Sequence, residues 1–94
     1  MAKQLEPLDL DALRPADTPA YMTGAWLGCI EFALSAPYVL AAFRAETGNQ
    51  WTPASDGLGR MIDQAAGFDR DFLVQFIQWV NVNVWGPMDG PDET

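Results

Sequence analysis

Residues 69–86 read DRDFLVQFIQWVNVNVWG, and this stretch decides the fold. Its apolar side chains recur at three- and four-residue steps, which is the spacing of one buried helix face. Asp69 can cap the start of such a helix, and Gly86 followed by Pro87 would end it. The segment VNVNV also alternates as a strand does, but the length between good caps favours a helix. The predicted inner stripe is Phe72, Leu73, Phe76, Ile77, Val80 and Val84.

Two more helices are predicted earlier in the chain. The first has Thr18 as its N-cap and Pro19 at its first position, where the missing N–H does no harm. Apolar residues surround most of it, which is typical of a helix in a core or an interface. The second begins near Ser35, has Pro37 in its first turn and ends at Gly48. The apolar residues of the first predicted helix that recur at three- and four-residue steps are Met22, Ala25, Trp26, Cys29, Ile30 and Ala33.

A short helix is predicted between these two and the final one. Thr52 or Asp56 can cap its start, and Gly67 is expected to end it. Its apolar residues follow the i, i+3, i+4, i+7 pattern of one buried face. They are Leu58, Met61, Ile62 and Ala65.

The sequence therefore predicts an all-α protein, a small single-domain bundle of about four helices. Residues 18–87 form the helical domain, with the first and fourth helices at its centre. Residues 1–17 form an N-terminal arm, which either makes one helical turn before Pro15 or lies extended with its leucines on the core. Residues 88–94 are acidic and rich in Gly and Pro, so we expect a short disordered tail.

Composition excludes several classes of protein. The 94 residues include 13 carboxylates, five Lys or Arg and no His, for a net charge of −8. Direct nucleic-acid binding is not expected, because contacts to phosphates need a basic surface. Cys29 is the single cysteine, so an intrachain disulfide is impossible. The first residues lack the apolar run of a signal peptide, and we expect a cytoplasmic protein.

Catalytic, cofactor and metal sites are not predicted. One cysteine without histidine cannot supply a zinc site, and the acidic residues lack calcium-loop spacing. Neither serine has a histidine to activate it. A membrane span is not expected either, since residues 18–43 contain Glu31 and Pro37 and residues 72–88 contain four amides. The protein is therefore expected to be non-enzymatic.

The outer face of the fourth helix is the main candidate for binding. The chain has no charge between Asp71 and Asp89, whereas a solvated helix face normally carries Lys and Glu. Protein interfaces lack charge at their centre and are enriched in aromatic residues. Trp79 and Trp85 belong either to such an interface or to the protein's own core. The candidate partner-binding residues on this face are Gln75, Gln78, Trp79, Asn81 and Val82.

Glu31 is the one charge on the otherwise apolar first helix. A carboxylate is costly to bury without a partner. Glu31 is expected either at a polar edge, paired with Arg44 or Arg60, or in contact with a partner. We include it among the candidate partner-binding residues.

These features suggest a protein-binding module. The acidic excess serves solubility, or it complements a partner with a basic surface and speeds their encounter. Basic surfaces are abundant on nucleic-acid-handling complexes. By profile alone, without a motif, the chain is similar to phage- or plasmid-encoded inhibitors of such complexes, anti-CRISPR proteins among them. The leading hypothesis is a module that inhibits or modulates a partner protein. The alternative is a structural or accessory subunit that forms a homodimer or larger homo-oligomer through the fourth-helix face.

Overall fold

The computed structural model describes residues 8–53, 57–64 and 66–86. Across these ranges the chain is helical and has no strand, which confirms the predicted all-α class. A short 3-10 turn, Ala20–Met22, precedes α2, and a π-helical turn, Asn81–Trp85, follows α5. The α-helices are α1 (Leu10–Leu13), α2 (Thr23–Ser35), α3 (Pro37–Thr47), α4 (Leu58–Gln64) and α5 (Gly67–Val80).

The core lies where α5 packs against the helices before it. Five of the six residues predicted for the inner stripe of the last helix are almost completely buried. Phe43 of α3 meets Phe72, Phe76 and Trp79 of α5 edge to face, at ring-centroid distances of 5.5, 5.0 and 5.8 Å. These four rings are called the aromatic cluster below. On the side of α2, the buried residues are Trp26, Ile30 and Ala33.

The starts of the first two predicted helices differ from the sequence prediction. Thr18 does not cap a helix; it is buried, and its hydroxyl accepts a 2.9 Å hydrogen bond from the indole of Trp85. Ser35 does not cap α3, because its hydroxyl donates to the carbonyls of Glu31 and Phe32 in the last turn of α2. The positions predicted for Pro37, at the start of α3, and for Gly48, at its end, are confirmed.

The start of α5 is also different. Gly67, which the sequence predicts at the end of the preceding helix, instead begins α5 with a positive φ of 59°. Asp69 is therefore in the first turn instead of at the N-cap, and its carboxylate accepts from the indole of Trp51. At the other end Val84 is 36% exposed, because the helix widens into the π-helical turn. The predicted cap Asp56 and the predicted tail lie outside the described residues.

The described part of the arm, residues 8–17, makes one helical turn, the first of the two predicted alternatives. The Asp9 side chain accepts from the backbone N–H of Ala12 and caps α1. Leu8 is buried, and its N–H donates to the carbonyl of Ile62. Arg14 pairs with Asp11 at 2.8 Å within the segment and donates to the carbonyl of Thr18. It also donates to the hydroxyl of Thr23, which joins the segment to the first residue of α2.

Two glycine substitutions are expected to change stability in opposite directions. Gly48 has a φ of 75°, a conformation that strains alanine, so Gly48→Ala should lower the free energy of unfolding by about 1–2 kcal/mol. Gly28 is exposed inside α2, with open space where an alanine methyl group would lie, so Gly28→Ala should raise it by about 0.5–1 kcal/mol. Urea unfolding followed by circular dichroism measures both; shifts of the same sign would contradict the assignment.

Candidate protein-docking face

One side of α5 and the following turn faces solvent. The exposed residues are spaced by three or four positions, so they lie on one helix face. At the two ends of this row, Phe68 is 67% exposed and Val82 is 76% exposed. Beyond Asp71 no described residue of the row carries charge. We call this row the α5 strip; it consists of Phe68, Asp71, Gln75, Gln78 and Val82.

Trp79 and Trp85 are partly buried and packed against the core. Trp79 belongs to the aromatic cluster, and its indole donates a 2.9 Å hydrogen bond to the carboxylate of Glu46 on α3. Trp85 faces the other way and donates to Thr18. Trp79 therefore packs beside the strip, while Trp85 bonds the end of the helix to Thr18, directly after the arm.

Asn81 has an internal structural role. Its Oδ1 atom accepts a 2.7 Å bond from the indole of Trp26, and its Nδ2 atom donates a 2.9 Å bond to the carbonyl of Leu13. The amide thus joins α2, the arm and the end of α5. Because these contacts use both ends of the amide, Asn81 is not part of the strip that the structure exposes.

A loop after α3 lies along the first half of α5. The amide of Asn49 donates a 2.7 Å bond to Gln75, and the indole of Trp51 donates a 2.6 Å bond to Asp69. Arg44 donates to the carbonyls of both Asn49 and Trp51, and these two bonds constrain the path of the loop. The loop therefore presents Trp51 at a fixed position next to the strip.

Trp51 and Phe68 are not among the binding residues that the sequence predicts. Their rings lie 5.0 Å apart, and Trp51 is 42% exposed. The sequence does indicate that Phe68 is unusual. It lies outside the predicted inner stripe, and so large an apolar side chain is uncommon at a solvated helix position. Their proximity depends on the path of the loop, which local periodicity does not encode.

Glu31 lies apart from the strip. It is exposed on α2, beside a shallow depression that it lines with Leu34, Ser35 and Leu58. Arg44, one of its two predicted partners, is used by the loop carbonyls and lies over the ring of Phe72. The structure thus brings Gln75, Gln78 and Val82 together but separates Glu31 from them.

The described residues offer little for metal binding or for thiol chemistry. They contain no group of three His, Cys, Asp or Glu side chains able to hold a metal ion. Burial raises the pKa of the Cys29 thiol, which lowers its reactivity near neutral pH.

No single described helix has the length and hydropathy to cross a bilayer. Two consecutive segments, Ala20–Ser35 and Pro37–Thr47, meet that test only when taken together, and they are bent by 85° relative to each other.

Fold and surface together define a small all-α domain with a mostly uncharged, aromatic-edged helix face. No family model, curated protein or solved structure matches the chain.

Proposed function

We propose that the protein is a non-enzymatic binding module that docks on a partner protein through the α5 strip and inhibits or modulates it. The observation that carries this proposal is the composition of the strip. Two glutamines in the middle of the strip and a large apolar side chain at each end occupy solvent-facing positions, where Lys and Glu are usual. Protein interfaces are depleted in charge at their centre and enriched in aromatic residues, and the strip shares both features.

The charges around the strip favour a basic partner. Asp69 and Asp71 lie at one end of the strip, with Arg70 between them in the sequence. Glu46 lies beside Trp79, so these carboxylates outnumber the cation. The whole chain has a net charge of −8. Carboxylates at the rim of an interface speed encounter with a positively charged surface and leave the uncharged centre free to pack.

A basic complex that handles nucleic acid is the class of partner we propose. Such complexes carry positive surfaces for phosphate contacts. An acidic domain that covers such a surface would compete with nucleic acid and inhibit the complex. The profile of phage-type inhibitors, including anti-CRISPR proteins, supports this only by analogy.

A pair of matched substitutions tests the docking face. Gln78→Arg places a positive charge at the centre of the strip, where it would be desolvated and would repel a basic partner. We expect at least about a tenfold loss of affinity for a partner captured by the native chain, equivalent to about 1.4 kcal/mol. Affinity capture with mass spectrometry identifies the partner, and titration calorimetry measures the loss.

Gln64→Arg is the control, because Gln64 is exposed on α4 and its replacement changes the net charge equally. This variant should retain native affinity. The proposal fails if Gln78→Arg also retains it while circular dichroism shows the same fold. The alternative, self-association through the same strip, predicts a larger particle in light scattering that dissociates on dilution. A monomer at every concentration would refute that alternative.

A further inference from the structure

An exposed aromatic pair sits at the end of the α5 strip nearest the helix start. The rings of Trp51 and Phe68 are 5.0 Å apart and tilted by 52°, and both side chains are substantially exposed. Elsewhere the aromatic side chains of α5 are turned toward the aromatic cluster. This pair therefore has ring surface available to a partner.

Carboxylates lie next to the same rings. Asp69 accepts the indole hydrogen bond of Trp51 at 2.6 Å, which places its negative charge at the ring edge. Asp71 is exposed one helical turn after Phe68, and side chains three positions apart on a helix are neighbours. Aromatic faces next to carboxylates attract a cation in two ways, through the ring quadrupole and through direct charge.

The pair is also held in place before binding. Arg44 bonds to two carbonyls of the loop, and the side chain of Asn49 accepts from the N–H of Trp51. The Arg44 guanidinium is therefore engaged by these two carbonyls, and it also lies over the ring of Phe72. A pre-organised loop loses little conformational freedom on binding, so more of the contact energy appears as affinity.

We infer that Trp51, Phe68 and Asp71 receive an arginine side chain of the basic partner. The inference rests on the proposed function and adds the chemistry that the partner presents. Arginine fits better than lysine, because its planar guanidinium stacks on aromatic faces, is weakly hydrated and donates two bonds to a carboxylate. Tryptophan and arginine are also among the residues that most often dominate binding energy in interfaces.

The test uses an acetylated, amidated tetra-arginine peptide, titrated into the full chain at low salt and followed by NMR. The largest shifts are expected at the indole N–H of Trp51 and the ring of Phe68. Phe68→Leu keeps an apolar side chain but removes the ring, and should weaken binding about two- to fivefold. Asp71→Asn should weaken it by a larger factor, and tetra-lysine should bind less tightly than tetra-arginine.

Two controls separate this site from general attraction to an acidic protein. Phe32→Leu removes another exposed phenylalanine ring, and Asp63→Asn removes another exposed carboxylate. Both should bind tetra-arginine more tightly than the Phe68→Leu and Asp71→Asn variants do. The inference is overturned if each matched pair binds equally, if tetra-lysine binds as well as tetra-arginine, or if the shifts lie elsewhere.

The result is independent of the docking experiment. If Gln78→Arg abolishes capture of the native partner while Phe68→Leu leaves tetra-arginine binding unchanged, the docking face stands and the arginine site falls. If tetra-arginine binds at the pair but Gln78→Arg has no effect on capture, the proposed docking face falls.

Discussion

Replacement of Phe43 by alanine is expected to lower the free energy of unfolding by about 3–5 kcal/mol. Phe43 is fully buried and contacts three rings of α5, so it is the ring that α3 contributes to the aromatic cluster. The substitution removes these contacts and leaves a cavity, because the surrounding structure relaxes only in part. Domains of this size have a total stability of about 5–15 kcal/mol, so a large share would be lost.

Phe32→Ala is the matched control for that experiment. Phe32 lies on α2 and is 54% exposed, so the same change in chemistry should shift stability by no more than about 0.5 kcal/mol. Urea denaturation followed by far-UV circular dichroism measures both variants. Equal destabilisation by the two substitutions would mean that the aromatic cluster is not the centre of the core.

Replacement of Asn81 by alanine should also destabilise the fold, by about 2–4 kcal/mol. The substitution leaves the indole N–H of Trp26 without its acceptor and the carbonyl of Leu13 without its donor. Trp26 is fully buried, so its N–H cannot exchange the lost bond for water without a local opening of the structure.

Asn83→Ala provides the comparison. The Asn83 amide also donates to a carbonyl, that of Trp79, but the contact is exposed and water can replace it. We expect a change within about 0.5 kcal/mol. If thermal and urea unfolding show the two asparagine variants to be equally stable, Asn81 does not join α2, the arm and α5 in the way its contacts indicate.

Local periodicity is sufficient to predict the helices but not their junctions. Five of the six positions predicted for the inner stripe follow from the sequence because burial follows the helical repeat. The predictions for Gly67 and Thr18 are wrong because a glycine can begin or end a helix, and a threonine hydroxyl can bond elsewhere. Those choices depend on contacts with residues far along the chain.

The candidate docking face is likewise predicted in part by the helical repeat and determined in part by contacts between distant residues. Exposure of Gln75 and Gln78 follows from their position opposite the inner stripe. The sequence groups Asn81 with them because its position on a continued helix is similar, yet its amide is needed by Trp26. Trp51 reaches α5 through a loop whose path is fixed by hydrogen bonds to Arg44, and no repeat in the sequence reports such a path.

The π-helical turn changes the rotational phase of the last helix. In a continuous α-helix, the residue five positions after Val80 would point about 140° away from it. The N–H of Gly86 instead bonds to the carbonyl of Asn81, five residues back, so the turn holds one additional residue. This brings Trp85 round to the inner side, where its indole meets Thr18. The additional residue in the π-helical turn thus directs a side chain that would face solvent into a hydrogen bond with a residue 67 positions earlier in the chain.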